Sequence, residues 1–197
     1  MSQPVRFPTA VRAIFLLWLF LALAAGKLQL LQAVPSPWHP GFAVFLAALL
    51  LAAWRLVAPL RAWVDAVDLR LLVLLHITRF VGFYFLLLVG RGELTPEFIQ
   101  AGYGDIVTAG LALWVVLLPL NASLRLRAVT IWNVIGLVSI LLVLSDGVRL
   151  GLTQPAALRP FTELPLSLLP TFLVPLILAS HIIIFVRLRQ ETGRPSA

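Results

Sequence analysis

Apolar residues fall in six runs of about twenty, close to the length that crosses a hydrocarbon core ~30 Å thick at ~1.5 Å per residue. The runs cover residues 11–32, 41–59, 69–89, 105–121, 128–146 and 164–186. Each is too long and too evenly apolar for a strand or for one face of a soluble helix. The pattern predicts an all-α fold, a polytopic transmembrane helix bundle of six spans forming a single membrane domain over residues 1–197.

The polar residues between the runs orient the bundle. Arg6, Arg12, Arg55, Arg61, Arg70, Arg125, Arg127, Arg187, Arg189 and Arg194 gather on one side. Only Lys27, Arg91, Arg149 and Arg159 fall on the other. Basic residues concentrate on the cytoplasmic side of short loops. The richer side is therefore expected inside, with both termini cytoplasmic, in a bacterial inner membrane. The start of the chain also resembles a signal peptide, with Arg6 and Arg12 before an apolar stretch that ends Ala22-Leu23-Ala24-Ala25. The expectation is an uncleaved first span.

Composition agrees with lipid as the solvent. Of 197 residues 61% are hydrophobic and 12% charged, and the mean hydropathy is +1.02; a soluble domain of this size needs more polar residues to cover its surface. The formal charge is +7, but the arginines sit at span ends rather than in one patch. They are expected to meet anionic headgroups, not nucleic acid. There are no cysteines, which removes thiolate chemistry and iron–sulfur ligation.

Ionisable groups at membrane depth are costly and point to function. Arg79 lies ~15 Å along the third span, near the bilayer middle, where insertion costs roughly 2.5–3.5 kcal/mol. His76 is three residues earlier on the same helical face. Asn133 on the fifth span lies ~8 Å in and His181 on the sixth ~8–9 Å in, by the same rise. Side chains lean toward their helix N-terminus, so Arg79 and His181 approach each other if their helices are neighbours. A buried ligand-binding site of Arg79, His181, Asn133, His76 and Asp105 follows as the expectation.

No carboxylate occurs inside the third or sixth span, and the fifth holds one only at its last residue, Asp146. Two routes are open to the Arg79 charge. It reaches toward Asp105, or it caps the carbonyls of Leu166 and Thr171, which Pro170 and Pro175 release. In the second case the arginine simply anchors a broken helix. An anion, a lipid headgroup or a metabolite completing the site is the sharper reading, because broken helices also build ligand sites in transporters.

Other motifs are weaker. His76 and His181 at similar depth are candidate axial ligands for a haem b, against the bland reading of two hydrogen-bonded neutral imidazoles. No cofactor is otherwise expected and no metal site. Gly102-Tyr103-Gly104-Asp105 matches the Gly-x-Gly-Asp of intramembrane aspartyl proteases, but no second carboxylate accompanies it. A glycine turn with Asp105 capping the fourth span explains it better, after a short helix opened by Thr95-Pro96-Glu97. His39 reads as a solvated loop residue, and Trp38, Trp54 and Trp63 as interfacial anchors.

Several of these segments resemble an uncharacterised family of small bacterial six-span integral membrane proteins. The likeness rests on Arg79-x-x-Gly82, Gly92-Glu93-Leu94 with Pro96, and Ala101-Gly102-Tyr103-Gly104-Asp105. It continues through Trp132-Asn133-x-x-Gly136 and Leu169-Pro170-Thr171-Phe172-Leu173-Val174-Pro175 to His181, covering roughly residues 70–190. The resemblance implies an architecture and a choice of site residues but no activity. It does not tie position 76 to histidine, which counts against haem.

No complete catalytic motif is present. The leading expectation is a membrane protein that binds or transports a small or anionic ligand or lipid. A b-type cytochrome is the second reading and a membrane enzyme the third. A homo-oligomer, or a structural or assembly subunit of a larger membrane complex, is a further one.

Overall fold

Because the chain is apolar throughout, its backbone groups must be satisfied within each segment, and helices do this. The structure, a computed structural model, describes residues 9–192, and every regular element among them is helical. Arg6 and Arg194 of the basic set lie outside the described residues. The helices are α1 (Thr9–Lys27), α2 (Trp38–Leu56), α3 (Ala58–Ala66), α4 (Leu69–Leu74), α5 (Val81–Gly90), α6 (Phe98–Leu117), α7 (Ala122–Thr153) and α8 (Val174–Thr192). A 3-10 segment, Leu75–Phe80, links α4 to α5, and a π-helical turn, Leu169–Leu173, precedes α8. Six segments are long and apolar enough to cross a membrane, as a multi-pass membrane protein requires: Thr9–Lys27, Trp38–Leu56, Leu69–Gly90, Phe98–Leu117, Ala122–Thr153 and Leu169–Glu191.

Two spans differ most from the sequence expectation, while the first ends at Lys27 rather than at 32 and the sixth covers Leu169–Glu191 rather than 164–186. The fifth is a single helix of 32 residues, far longer than residues 128–146. The fourth begins at Phe98 and runs unbroken through Gly102-Tyr103-Gly104, so these glycines make no turn and Asp105 is no N-cap. In a bundle, glycine serves to let helices approach closely. A Cβ on Gly102 would meet the Gly82 carbonyl oxygen at 3.1 Å, and one on Gly104 would meet Ser139 Oγ at 2.9 Å.

The chain forms two compact units. The first joins the residues up to Asp68 with Leu150–Ala179. Here α1 packs on the π-helical turn, with the Trp18 and Phe172 rings 4.6 Å apart. Pro175 has no N–H to give the Thr171 carbonyl, and Trp18 Nε1 donates to that oxygen instead, at 3.0 Å. The Leu166 carbonyl accepts from the Leu169 N–H at 3.0 Å. Both carbonyls named for Arg79 thus have other partners. Ser167 Oγ lies where a Cβ on Gly26 would stand, another glycine-made approach.

His39 and Trp54 also belong to this unit, and both depart from expectation. His39 is buried, its Nε2–H shared between the carbonyls of Leu31 and Val34 at 3.1 and 3.0 Å. It closes the loop after α1 rather than facing water. Trp54 is buried too and donates to Asp65 of α3 at 3.2 Å, while Trp38 is exposed. Trp18→Phe should keep the contact with Phe172 yet leave the Thr171 carbonyl without a donor. The expected loss is about 1–3 kcal/mol, read as a lower unfolding midpoint of the detergent-solubilised protein.

The second unit joins Leu69–Arg149 with the chain from Ser180 onward. Its apolar core is Val73, Ala112, Val129, Trp132, Ile184 and Leu188, drawn from α4, α6, α7 and α8. The candidate site residues all lie in this unit.

Candidate functional site

The site begins with the 3-10 segment. At three residues per turn, side chains at i and i+3 stand above one another. His76 and Arg79 therefore share one edge, and both are fully buried. A regular α-helix would set them about 60° apart around the axis. The Thr78 hydroxyl donates to the Leu75 carbonyl at 2.8 Å within the same segment.

Arg79 uses its planar fork on two neighbouring helices. Nε donates to Asp105 Oδ1 of α6 at 2.8 Å, Nη1 to the Gly136 carbonyl of α7 at 2.9 Å, and Nη2 to Ser139 Oγ of α7 at 2.9 Å. A buried guanidinium needs both a counter-charge and satisfied N–H groups, and this arrangement supplies a carboxylate and two neutral acceptors. Asp105 reaches it from about two turns inside α6, not from the helix end.

The imidazoles occupy the adjoining space. His181 Nδ1 stands 2.7 Å from Asn133 Oδ1, and Asn133 Nδ2 donates back to the His181 carbonyl at 3.0 Å. His76 Nε2 is hydrogen-bonded to Ser180 Oγ at 3.0 Å. The two imidazole rings pack against each other with centroids 4.3 Å apart, and Trp132 closes on both, at 4.7 Å from His76 and 5.7 Å from His181. Trp132 is itself pinned by donating Nε1–H to the Thr108 carbonyl at 3.0 Å.

The five expected residues thus meet in one buried cluster. Arg79 and His181 join through Gly136: the carbonyl accepts from Arg79, and a Cβ on this residue would come within 2.6 Å of the His181 ring. Sequence reasoning missed Ser139 and Ser180, and held Trp132 only as part of the Trp132-Asn133-x-x-Gly136 motif. The spacing Asn133, Gly136, Ser139 is i, i+3, i+6, one polar and small edge on an otherwise apolar span, and it was the available signal.

Two polar atoms are left over. His76 Nδ1 and His181 Nε2 are buried with no hydrogen-bond partner among the described residues. The placement does not suit one haem, because axial imidazoles flank the porphyrin plane, whereas these rings touch each other. Among the described residues no group of three or more His, Asp or Glu is arranged to hold a metal ion.

No curated protein and no solved structure matches the chain. A family model described as "Domain of unknown function (DUF8737)" matches residues 37–189, a stretch that holds the whole cluster and more than three quarters of the sequence. The chain belongs to that uncharacterised family.

Proposed function

We propose that the protein sits in a bacterial inner membrane with both termini in the cytoplasm and passes a small uncharged, hydrogen-bonding solute through the polar cluster of its second unit. Arg12, Arg55, Arg61, Arg70, Arg125, Arg127, Arg187 and Arg189 then meet the anionic headgroups of the inner leaflet. The observation that carries the solute reading is the pair of bare nitrogens, His76 Nδ1 and His181 Nε2. A buried polar atom without a partner costs about 1–3 kcal/mol, and native interiors seldom leave one unless water or a ligand fills the role.

Charge selects the kind of solute. The Arg79 cation is already matched by Asp105 at 2.8 Å, so an anion would enter a site with no net charge to receive it. A cation would face Arg79 with no free carboxylate in the cluster. A neutral molecule avoids both costs.

The test is flux into proteoliposomes. Urea and glycerol entry are followed by light scattering after rapid mixing, and ammonia entry by a pH dye inside the vesicles. At least one solute should cross faster than into protein-free vesicles, and His181→Phe and Ser180→Ala should bring the rate back toward that background. Rates equal to empty vesicles for all three solutes would overturn the proposal. A structural reading rests on a different observation: Arg79 alone ties three spans together through α6 and α7, as a subunit of a larger complex would require of its frame.

A further inference from the structure

Resting on the solute reading above, we infer that the cluster recognises hydrogen-bond donors: the Nε2 of His181 is a bare lone pair that accepts an N–H or O–H from the solute. The assignment follows from Asn133. Its Nδ2 donates to the His181 carbonyl at 3.0 Å, which fixes the other amide atom, the one 2.7 Å from His181 Nδ1, as oxygen. The opposite amide orientation would set two oxygens against each other at the His181 carbonyl. An amide oxygen only accepts, so His181 Nδ1 carries the hydrogen. The one carboxylate of the cluster is engaged by Arg79, and nothing remains to balance an imidazolium. The ring is neutral, holds a single N–H, and its Nε2 has none.

That nitrogen is buried, lacks a donor among the described residues, and lies beside Gly136, where even an alanine Cβ would come within 3.1 Å of it. The His76 ring is 4.3 Å away, and its own bare Nδ1 lies within reach of a molecule held at His181. A serine hydroxyl can give or take a hydrogen, so the bond from Ser180 at His76 Nε2 fits either tautomer of that ring. His76 therefore presents either a donor or an acceptor, while His181 presents an acceptor alone. A small solute that offers N–H or O–H on one side matches the hydrogen-bonding character of this pair. A solute that only accepts does not.

Histidine tautomers are read directly from two-bond nitrogen–proton correlations of the ring in protein labelled with 15N-histidine and held in lipid nanodiscs. One of the three histidines, assigned as His181 by loss of its signal in His181→Phe, should show the Nδ1–H form. Its Nε2 signal should move toward the hydrogen-bonded range with urea or with ammonia at alkaline pH, and stay unmoved by dimethyl sulfoxide, an acceptor. Asn133→Leu should release the ring to the Nε2–H form and abolish the response. An Nε2–H ring in the unaltered protein overturns the inference even where liposomes conduct solute. An Nδ1–H ring indifferent to both donors overturns it as well. An Nδ1–H ring that responds in a protein without flux overturns the transport reading and leaves this one standing.

Discussion

Arg79→Ala should lower the stability of the solubilised protein by about 3–5 kcal/mol, the range for removing one partner of a buried ion pair. The change strands Asp105 as an unpaired carboxylate between helices and takes donors from the Gly136 carbonyl and Ser139 Oγ. It also empties the volume of the largest buried polar side chain. Asp105→Ala should cost a similar amount from the other side, since a guanidinium without its anion is then held away from water. Replacing both, as Arg79→Met with Asp105→Leu, should recover most of the loss, because well-packed apolar pairs often match or exceed a buried ion pair. A double-mutant cycle on unfolding midpoints isolates the coupling. Single changes within about 0.5 kcal/mol of the unaltered protein, the level of an ordinary surface substitution, would show that the pair bears no load. The double change also separates two roles. Should it fold and still move solute, the pair is a frame around the imidazoles; should it fold and fail to conduct, the charges belong to the site.

The six spans were legible because membrane solvation acts on composition over twenty residues, and no tertiary knowledge is needed to see Leu69–Gly90 or Leu169–Glu191 as apolar stretches. The burial of Arg79 was legible for the same reason, since it falls within one of those stretches. Its partner, Asp105, was legible only as one of two routes, and its place inside a helix was not. Asp105 follows two glycines, and in water that pattern marks a turn and a helix cap. Here the glycines bring the fourth span against Gly82 and Ser139, so the helix continues and carries Asp105 inward. The same solvent rule misplaced His39 and Trp54. Polar side chains near span ends look solvated from sequence, but loop carbonyls such as Leu31 and Val34 need donors, and His39 supplies one. The two prolines of the last span correctly marked freed carbonyls. The donors were not legible: the Leu169 N–H answers the Leu166 carbonyl, and Trp18 of α1 rather than Arg79 answers that of Thr171. Overwinding at Leu75–Phe80 carries no proline or glycine to announce it. It aligns His76 with Arg79, and only packing reveals it.

Glycine substitutions should separate helix contact from site geometry. At Gly82 an added Cβ would run into the Gly102 backbone carbonyl and come within 3.1 Å of the Asp105 Cβ. Backbone cannot rotate away, so Gly82→Ala forces α5 and α6 apart one turn from the Arg79–Asp105 bond and stretches it. The expected cost lies at or above the upper end of the ~1–3 kcal/mol usual for overpacking. At Gly136 the obstacle is the His181 ring, 2.6 Å from the added carbon, with Thr108 Cγ2 at 3.0 Å. That ring is held at Nδ1 by Asn133 and pressed by His76 and Trp132, so it too has little room, and Gly136→Ala should cost about 1–3 kcal/mol. The two sites differ in what relieves them. His181→Ala removes the atoms that Gly136→Ala meets and should restore much of its loss, giving a favourable coupling in the double variant. No side-chain truncation removes a carbonyl, so Gly82→Ala should resist rescue by trimming Ile106, whose Cγ1 lies 3.0 Å from the added carbon. A Gly82→Ala protein as stable as the original would mean that these two helices do not approach to glycine distance. The ion pair between them would then lose its geometric support.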